Sequence, residues 1–276
     1  MAAQTVGLVD RAAETDSFGR TLVSLFRYKM LVRHLVAKDL KLKYRGSILG
    51  FFWSLLNPLI MIAVYAVAFK YIVGIQTPNF VFYLLIGVLA WNFFANSLMM
   101  STGAIIDNGG LVKSVFFPRA ILPVSTVLFN FAQYVLTALV FLPVMLIYYK
   151  VPLSVTMLAY PVFLALQLLF TIGLALMIAT GTAFFRDFRH FLEIALQALF
   201  WLTPVLYEVS KVSATLQGWI RFSPLAPFVI AYHDVFFYDR WPSRSMWALS
   251  LAYAALALVF GIWTMLRHED RLSEQI

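Results

Sequence analysis

VPLSVTMLAYPVFLALQLLFTIGLALMIATGTAFF, residues Val151–Phe185, runs for 35 residues without one Asp, Glu, Lys or Arg. A helix needs about 20 predominantly apolar residues to cross a bilayer, so this stretch reads as a membrane span. Four more uncharged runs, Ser47–Phe69, Val81–Ile106, Ala120–Tyr149 and Ser245–Leu266, are each at least 22 residues long. A weaker sixth, Phe191–Tyr207, is interrupted by Glu193. The expected fold is an all-α integral membrane protein of six transmembrane helices over residues 47–266. A cytoplasmic segment 1–46 precedes it and a short charged tail 267–276 follows.

Composition points the same way. Of 276 residues, 62% are hydrophobic and 12% charged, where a soluble domain carries about 25% charged. Too few polar residues remain to clothe a water-facing surface, which excludes a soluble enzyme, a disordered chain and a fibrous repeat. With no cysteine, disulfide frameworks and thiolate metal sites are absent. The first 46 residues hold no apolar core of signal-peptide type, and no cleavage is expected.

The net charge of +8 sits at the ends of the spans rather than on a nucleic-acid-binding face, and no nucleic-acid partner is expected. Residues 1–46 hold nine Lys and Arg, and the other segments on that side bring the total to fifteen, against six on the opposite side. The positive-inside rule therefore places both termini in the cytoplasm. The run Phe222–His233 is too short to span and holds Pro224 and Pro227, which interrupt helical hydrogen bonding. It is expected to form short re-entrant helices within an extracytoplasmic hairpin of about residues 208–244.

From Ser17 to Arg45 the pattern becomes amphipathic. Leu22, Leu25, Phe26, Val36 and Leu40 share one side of a helical wheel and Arg20, Arg27, Lys38 and Arg45 the other. Lys29, Arg33 and Lys43 spoil the separation. Such a basic helix lies in the interface plane. Lys41, Lys43 and Arg45, beside Tyr44, stand at the mouth of the first span, where ammonium and guanidinium groups suit phosphate oxygens. Simple topogenic charge is the equally weighted alternative.

The five long spans contain no ionisable group, so the usual machinery of ion-coupled transport is missing. Their amides, Asn57, Asn92, Asn96, Asn130, Gln133 and Gln167, with Gln197 in the sixth run, are suited either to gluing helices together or to hydroxyl-rich cargo. Asn57, Asn92, Asn96 and Asn130, with Trp53, Trp91 and Trp201, are the candidates for lining a path. The four histidines are scattered, and no H-E-x-x-H, G-x-S-x-G or phosphate-loop motif occurs. Catalytic residues, resident metal and resident cofactor are therefore expected to be absent, and ATP would be hydrolysed, with magnesium, by another chain.

Three stretches carry a resemblance: KDLKLKYRGSILGFFWSLLNPL (Lys38–Leu59), NGGLVKSVFFPRAILP (Asn108–Pro123) and FFRDFRHFLEIALQALFWLTPVLY (Phe184–Tyr207), the last followed by SPLAPF (Ser223–Phe228). In this order and spacing the chain resembles the membrane subunit of bacterial ABC exporters for polysaccharide, of O-antigen, capsule or teichoic acid type. The resemblance implies a homodimer with two separate ATPase subunits in the bacterial inner membrane. The cargo it implies is a glycan on a polyprenyl diphosphate, which makes Lys41, Lys43, Tyr44 and Arg45 candidates for the lipid diphosphate.

It also implies that the loop with Lys113, Phe116, Phe117, Pro118 and Arg119 is an ATPase-coupling element, its apolar Val115, Phe116 and Phe117 exposed among the charges; an interfacial turn anchored by the two phenylalanines is the alternative. Arg186 and Asp187 belong to a second such turn, where an ion-pair network with Glu193 is expected. Pro224, Pro227, Tyr232 and Phe237 correspond to external gate helices. A permease for another bulky lipid or drug is the alternative within the same class. A membrane-embedded glycan enzyme is the alternative outside it.

Overall fold

The computed structural model describes residues 27–46, 49–50, 52–74, 76–115, 117–220 and 223–272, with side chains as far as 269. Ten α-helices are found among them: α1 Lys29–Tyr44, α2 Phe52–Val67, α3 Phe80–Ser101, α4 Gly109–Ser114, α5 Ile121–Tyr148, α6 Ala159–Phe184, α7 Phe188–Leu202, α8 Ala214–Ile220, α9 Ala226–Phe236 and α10 Arg244–Leu272. Five helical stretches are long and apolar enough to cross a membrane: Phe52–Ile72, Phe80–Ser101, Ile121–Tyr148, Val155–Phe184 and Arg244–Glu269. They match the five uncharged runs.

The sixth run departs from expectation. Its helix, α7, has 15 residues, about 22 Å at 1.5 Å per residue, and stops before Pro204, which has no N–H to continue the ladder. The chain then proceeds without helix through Thr203, Val205 and Leu206, which are almost wholly buried. Irregular backbone beside apolar helices is tolerable only when protein encloses it. Here α3 does so: a Cβ on Gly87 would stand 2.9 Å from the Val205 carbonyl oxygen, and the Tyr83 hydroxyl donates to the Tyr207 carbonyl at 2.8 Å.

The core is built around α3, buried along most of its length by α2, α5, α6 and α9. Phe94 stacks on Phe170 of α6 at 5.7 Å, and Phe170 on Phe228 of α9 at 5.4 Å. Helix α9 is thus enclosed by α3, α6 and α10, with its first turn level with the middle of the Val155–Phe184 helix. A smaller core joins Leu35 of α1 with Ile105, Phe117, Ile121, Leu176, Ile262 and Met265.

Helix α1 lies against α5 on a different face from the one the wheel suggested. Leu22, Leu25 and Phe26 are outside the described residues. The side chains that enter the smaller core are Tyr28, Leu31, Val32 and Leu35, a stripe at helical spacing. About two turns beyond Leu35, that side of the helix reaches Lys43, the residue that disturbed the wheel. Val36 and Leu40 sit beside it, half-buried. Packing against α5, rather than apolarity alone, selects the face.

Candidate functional site

Lys43 sets the geometry. Its stem is exposed, but the ammonium turns inward, donates to Gln133 Oε1 of α5, and lies 5.8 Å from the centre of the Phe129 ring one turn earlier. Burial of the charged end lowers the lysine pKa from its ordinary value. Lys43 and Gln133 border a cavity of about 110 Å³ lined also by Ser54, Asn57, Pro58, Asn92, Asn96, Asn130, Tyr134 and Thr137. All four asparagines singled out in the sequence converge here, from α2, α3 and α5.

Helical spacing explains the convergence. Asn92 and Asn96 are one turn apart on α3, and Asn130, Gln133 and Thr137 follow one face of α5. Asn130 is occupied, donating to the Thr126 carbonyl at 3.0 Å and to Met100 Sδ at 3.4 Å. Gln133 Nε2 is buried and has no hydrogen-bond partner among the described residues. Tyr44 and Ser54 share a hydroxyl–hydroxyl hydrogen bond that closes one end of the α1–α2 junction. Lys41 and Arg45 are exposed and do not enter the cavity.

Asn92 also belongs to a wider groove between α2, α3 and α7, lined by Met61, Tyr65, Trp91, Gln197, Phe200 and Trp201 among others. Trp91 is buried edge-on against Phe200 at 5.1 Å, whereas Trp201 is exposed. Trp53 is exposed on α2 and lines neither space. An amide chamber thus adjoins an aromatic groove across one asparagine.

The loop before α5 is less open than its sequence suggested. Val115 and Lys113 are exposed, but Phe117 is 3% exposed and anchors the turn in the smaller core. The expectation that Phe117 faces outward is corrected: its ring belongs to the smaller apolar core that α1, α5, α6 and α10 share. Phe116 lies outside the described residues, and Pro118 is half-buried. Arg119 is turned to its own chain, with its backbone N–H donating to Glu269 Oε1 at 3.2 Å and its guanidinium 4.0 Å from the same oxygen. Lys38 of α1 donates to Asn108 Oδ1 at 3.3 Å, joining α1 to this loop.

Arg186 and Asp187 are exposed in the α6–α7 turn. The contact found there among the described residues is His190 Nδ1 with Glu193 Oε2, at 3.9 Å, rather than the expected network of Arg186, Asp187 and Glu193. Helix α7 starts on the Asp187 carbonyl, which accepts from His190 and Phe191.

At the opposite end, Pro227 opens α9, where its missing N–H costs nothing, and Pro224 lies in the preceding turn. Tyr232 donates to Gln167 Oε1 at 2.6 Å, and Gln167 Nε2 to the Ala90 carbonyl at 3.1 Å. Phe237 packs edge-on against Tyr83 at 5.2 Å. Unforeseen in the sequence is a clasp at Glu208, which accepts from Thr77, Lys211 and Tyr238. Desolvation alone would raise the Glu208 carboxyl, but those hydrogen bonds and the Lys211 charge outweigh it and leave the pKa lowered. Among the described residues no three His, Asp or Glu side chains gather as a metal site.

The arrangement gathers amide side chains and aromatic rings along α3. A family profile described as ABC-2 type transporter matches residues 30–237. The chain belongs to that family. It is 32% identical over 246 residues to an O-antigen export system permease protein RfbA of Myxococcus xanthus, covering 88% of this chain and 93% of the relative. To a protein of the same name from Klebsiella pneumoniae it is 31% identical, covering 72% and 77%. The polysialic acid transport protein KpsM of Escherichia coli is 24% identical, covering 73% and 79%. As an ABC-2 permease the chain is a membrane-embedded transporter subunit, and permeases of this type work with a separate ATPase.

Proposed function

We propose that this ABC-2 permease is the membrane subunit of an ATP-driven exporter that moves a polyprenyl-diphosphate-linked polysaccharide outward across the bacterial inner membrane. The observation that carries the reading is similarity to export permeases along most of the chain. It is supported by an amide-lined cavity that adjoins an aromatic groove at Asn92. Amides hydrogen-bond sugar hydroxyls, and aromatic faces suit the C–H surfaces of carbohydrate.

In this reading the subunit works as a homodimer with two ATPase subunits, which bind ATP and magnesium. Six spans place both termini in the cytoplasm, with α7 and the enclosed Thr203–Tyr207 segment together making the fifth. Helices α8 and α9 form a re-entrant external gate containing Pro224, Pro227, Tyr232 and Phe237. Lys41, Lys43, Tyr44 and Arg45 receive the lipid diphosphate. Lys113 and the residues around it, with the Arg186–Asp187 turn, meet the ATPase, while Trp53, Trp91, Trp201 and the asparagines border the path.

Reconstitution tests this. Proteoliposomes holding the chain and its ATPase should translocate lipid-linked glycan only with ATP, and depletion in cells should make that glycan accumulate. Translocation by the chain alone in sealed vesicles would overturn the reading.

A further inference from the structure

The connection between α5 and α6 turns its polar side chains inward and its apolar ones outward. Leu153 is 86% exposed, and Val155 and Leu158 are each 68% exposed. Alternating with them, Thr156 is buried and donates from Oγ1 to Asp239 Oδ1 at 2.8 Å. Ser154 is half-buried, its Oγ accepting from the Thr156 N–H at 3.4 Å. A loop bathed in water gains by the opposite arrangement, since burying aliphatic surface is favourable and hydroxyls are well solvated. Hydroxyls bonded within the chain and aliphatic groups facing out suit a lipid layer.

The local fold sets this surface beside the spans. Helix α5 ends on Lys150 in the left-handed region, φ 53°, and the Val151 N–H closes on the Leu146 carbonyl at 2.9 Å, a cap that reverses the chain at once. The exposed face below it is already apolar: Leu136, Leu139, Val140, Val144 and Ile147 follow one another at helical spacing along α5. The loop prolongs that face without a break. Helix α5 has 28 residues, about 42 Å, against about 30 Å of hydrocarbon and about 40–45 Å including headgroups. Its end therefore falls in the interfacial layer, where exposed Tyr148 is at home. Lys150, the one charged residue between Arg119 and Arg186, has the length to keep its ammonium among the headgroups.

We propose that residues 147–158 dock on the phospholipid surface, with Leu153, Val155 and Leu158 at the boundary of acyl chains and headgroups, and that the Thr156–Asp239 hydrogen bond anchors the turn after α9 to this footing. The occupant is lipid because the apolar surface is continuous with that of α5. The topology proposed above sets only which leaflet is met, the outer one.

Spin labelling tests it. The chain has no cysteine, so Leu153→Cys, Val155→Cys and Leu158→Cys each carry a single nitroxide. Leu139→Cys, on the exposed middle of α5, is the lipid control, and Lys113→Cys, on an exposed loop, the aqueous control. In vesicles of phosphatidylethanolamine and phosphatidylglycerol, the ratio of collisions with oxygen to collisions with a water-soluble nickel chelate should be at least about three-fold higher at the three loop positions than at Lys113, and lower than at Leu139. Unchanged melting temperatures verify folding. Ratios equal to that at Lys113 overturn the proposal, and so do immobile labels shielded from both reagents, which would mean that a protein covers the loop. Leu153→Asp with Leu158→Asp should lower the ratio at Val155→Cys about three-fold and speed proteolysis within residues 208–244 several-fold; an unchanged cleavage rate overturns the anchoring. Neither ATPase nor cargo is present, so failure here leaves ATP-dependent export standing, and an inverted orientation changes the leaflet but not the depth.

Discussion

Gly173 of α6 and Gly261 of α10 meet backbone to backbone: a Cβ on Gly261 would stand 2.2 Å from the Gly173 carbonyl oxygen. Ala257, one turn before Gly261, completes the small surface, lying 2.2 Å from a Cβ built on Gly173. Helices that cannot gain from burying apolar surface in lipid associate through such close approaches. Gly261→Val would force the backbones apart, and overpacking of this kind costs about 1–3 kcal/mol. The expected result is a lower melting temperature in detergent, with Gly110→Val, which meets no neighbouring atom, as the unaffected control.

The Tyr232 hydroxyl is the donor that satisfies Gln167 Oε1 between α9 and α6. Tyr232→Phe removes it and leaves a buried carbonyl unpaired, at about 1–3 kcal/mol. Thermal unfolding should register that loss, and proteolysis within residues 208–244 should accelerate as α9 loosens. Equal cleavage rates would show that Tyr232 does not hold the helix.

Glu208 makes the outer clasp sensitive to acid. Because its folded pKa is lowered, the clasp contributes stability above the unfolded carboxylate pKa, about 4.3. That contribution is lost as pH falls through the folded value. Melting temperature should therefore gain nothing from this group between pH 7.5 and 5.5 and decline on the acid side of the ordinary carboxylate range. Glu208→Gln should flatten that decline.

Lys113 and Arg119, grouped by sequence, should behave differently. Lys113 is exposed, and Lys113→Glu is expected to reduce co-purification of the ATPase several-fold with the chain's own melting temperature unchanged. Arg119 faces Glu269, so Arg119→Glu places two carboxylates together and should destabilise the chain itself. A normal melting temperature for Arg119→Glu would remove the intramolecular role.

Much of this was legible beforehand because lipid imposes a coarse rule. A long run without charge must become a helix, and five runs did. Asn92 with Asn96, and Asn130 with Gln133 and Thr137, already carried helical spacing that grouped them by face. The exposure of Phe117 was misjudged, and the partner of Arg119 unseen, because nothing local says whether a loop side chain meets solvent or its own chain. The core that holds Phe117 includes distant residues such as Leu35, Ile262 and Met265, and Arg119 meets Glu269. The clasp at Glu208 was hidden in part for the same reason: Lys211 is local, but Thr77 and Tyr238 arrive from separate loops.

The sequence by itself determined that this chain is helical and membrane-embedded, and carries no phosphate loop of its own, since length, charge and motif are properties of contiguous residues. Only the tertiary structure decided that the irregular chain beyond Leu202 is enclosed by α3, that α9 is enclosed by α3, α6 and α10, and that Lys43 donates to Gln133. Those outcomes depend on which surfaces meet. A lysine on a helix wheel has no direction until a neighbouring helix gives its ammonium something to hold.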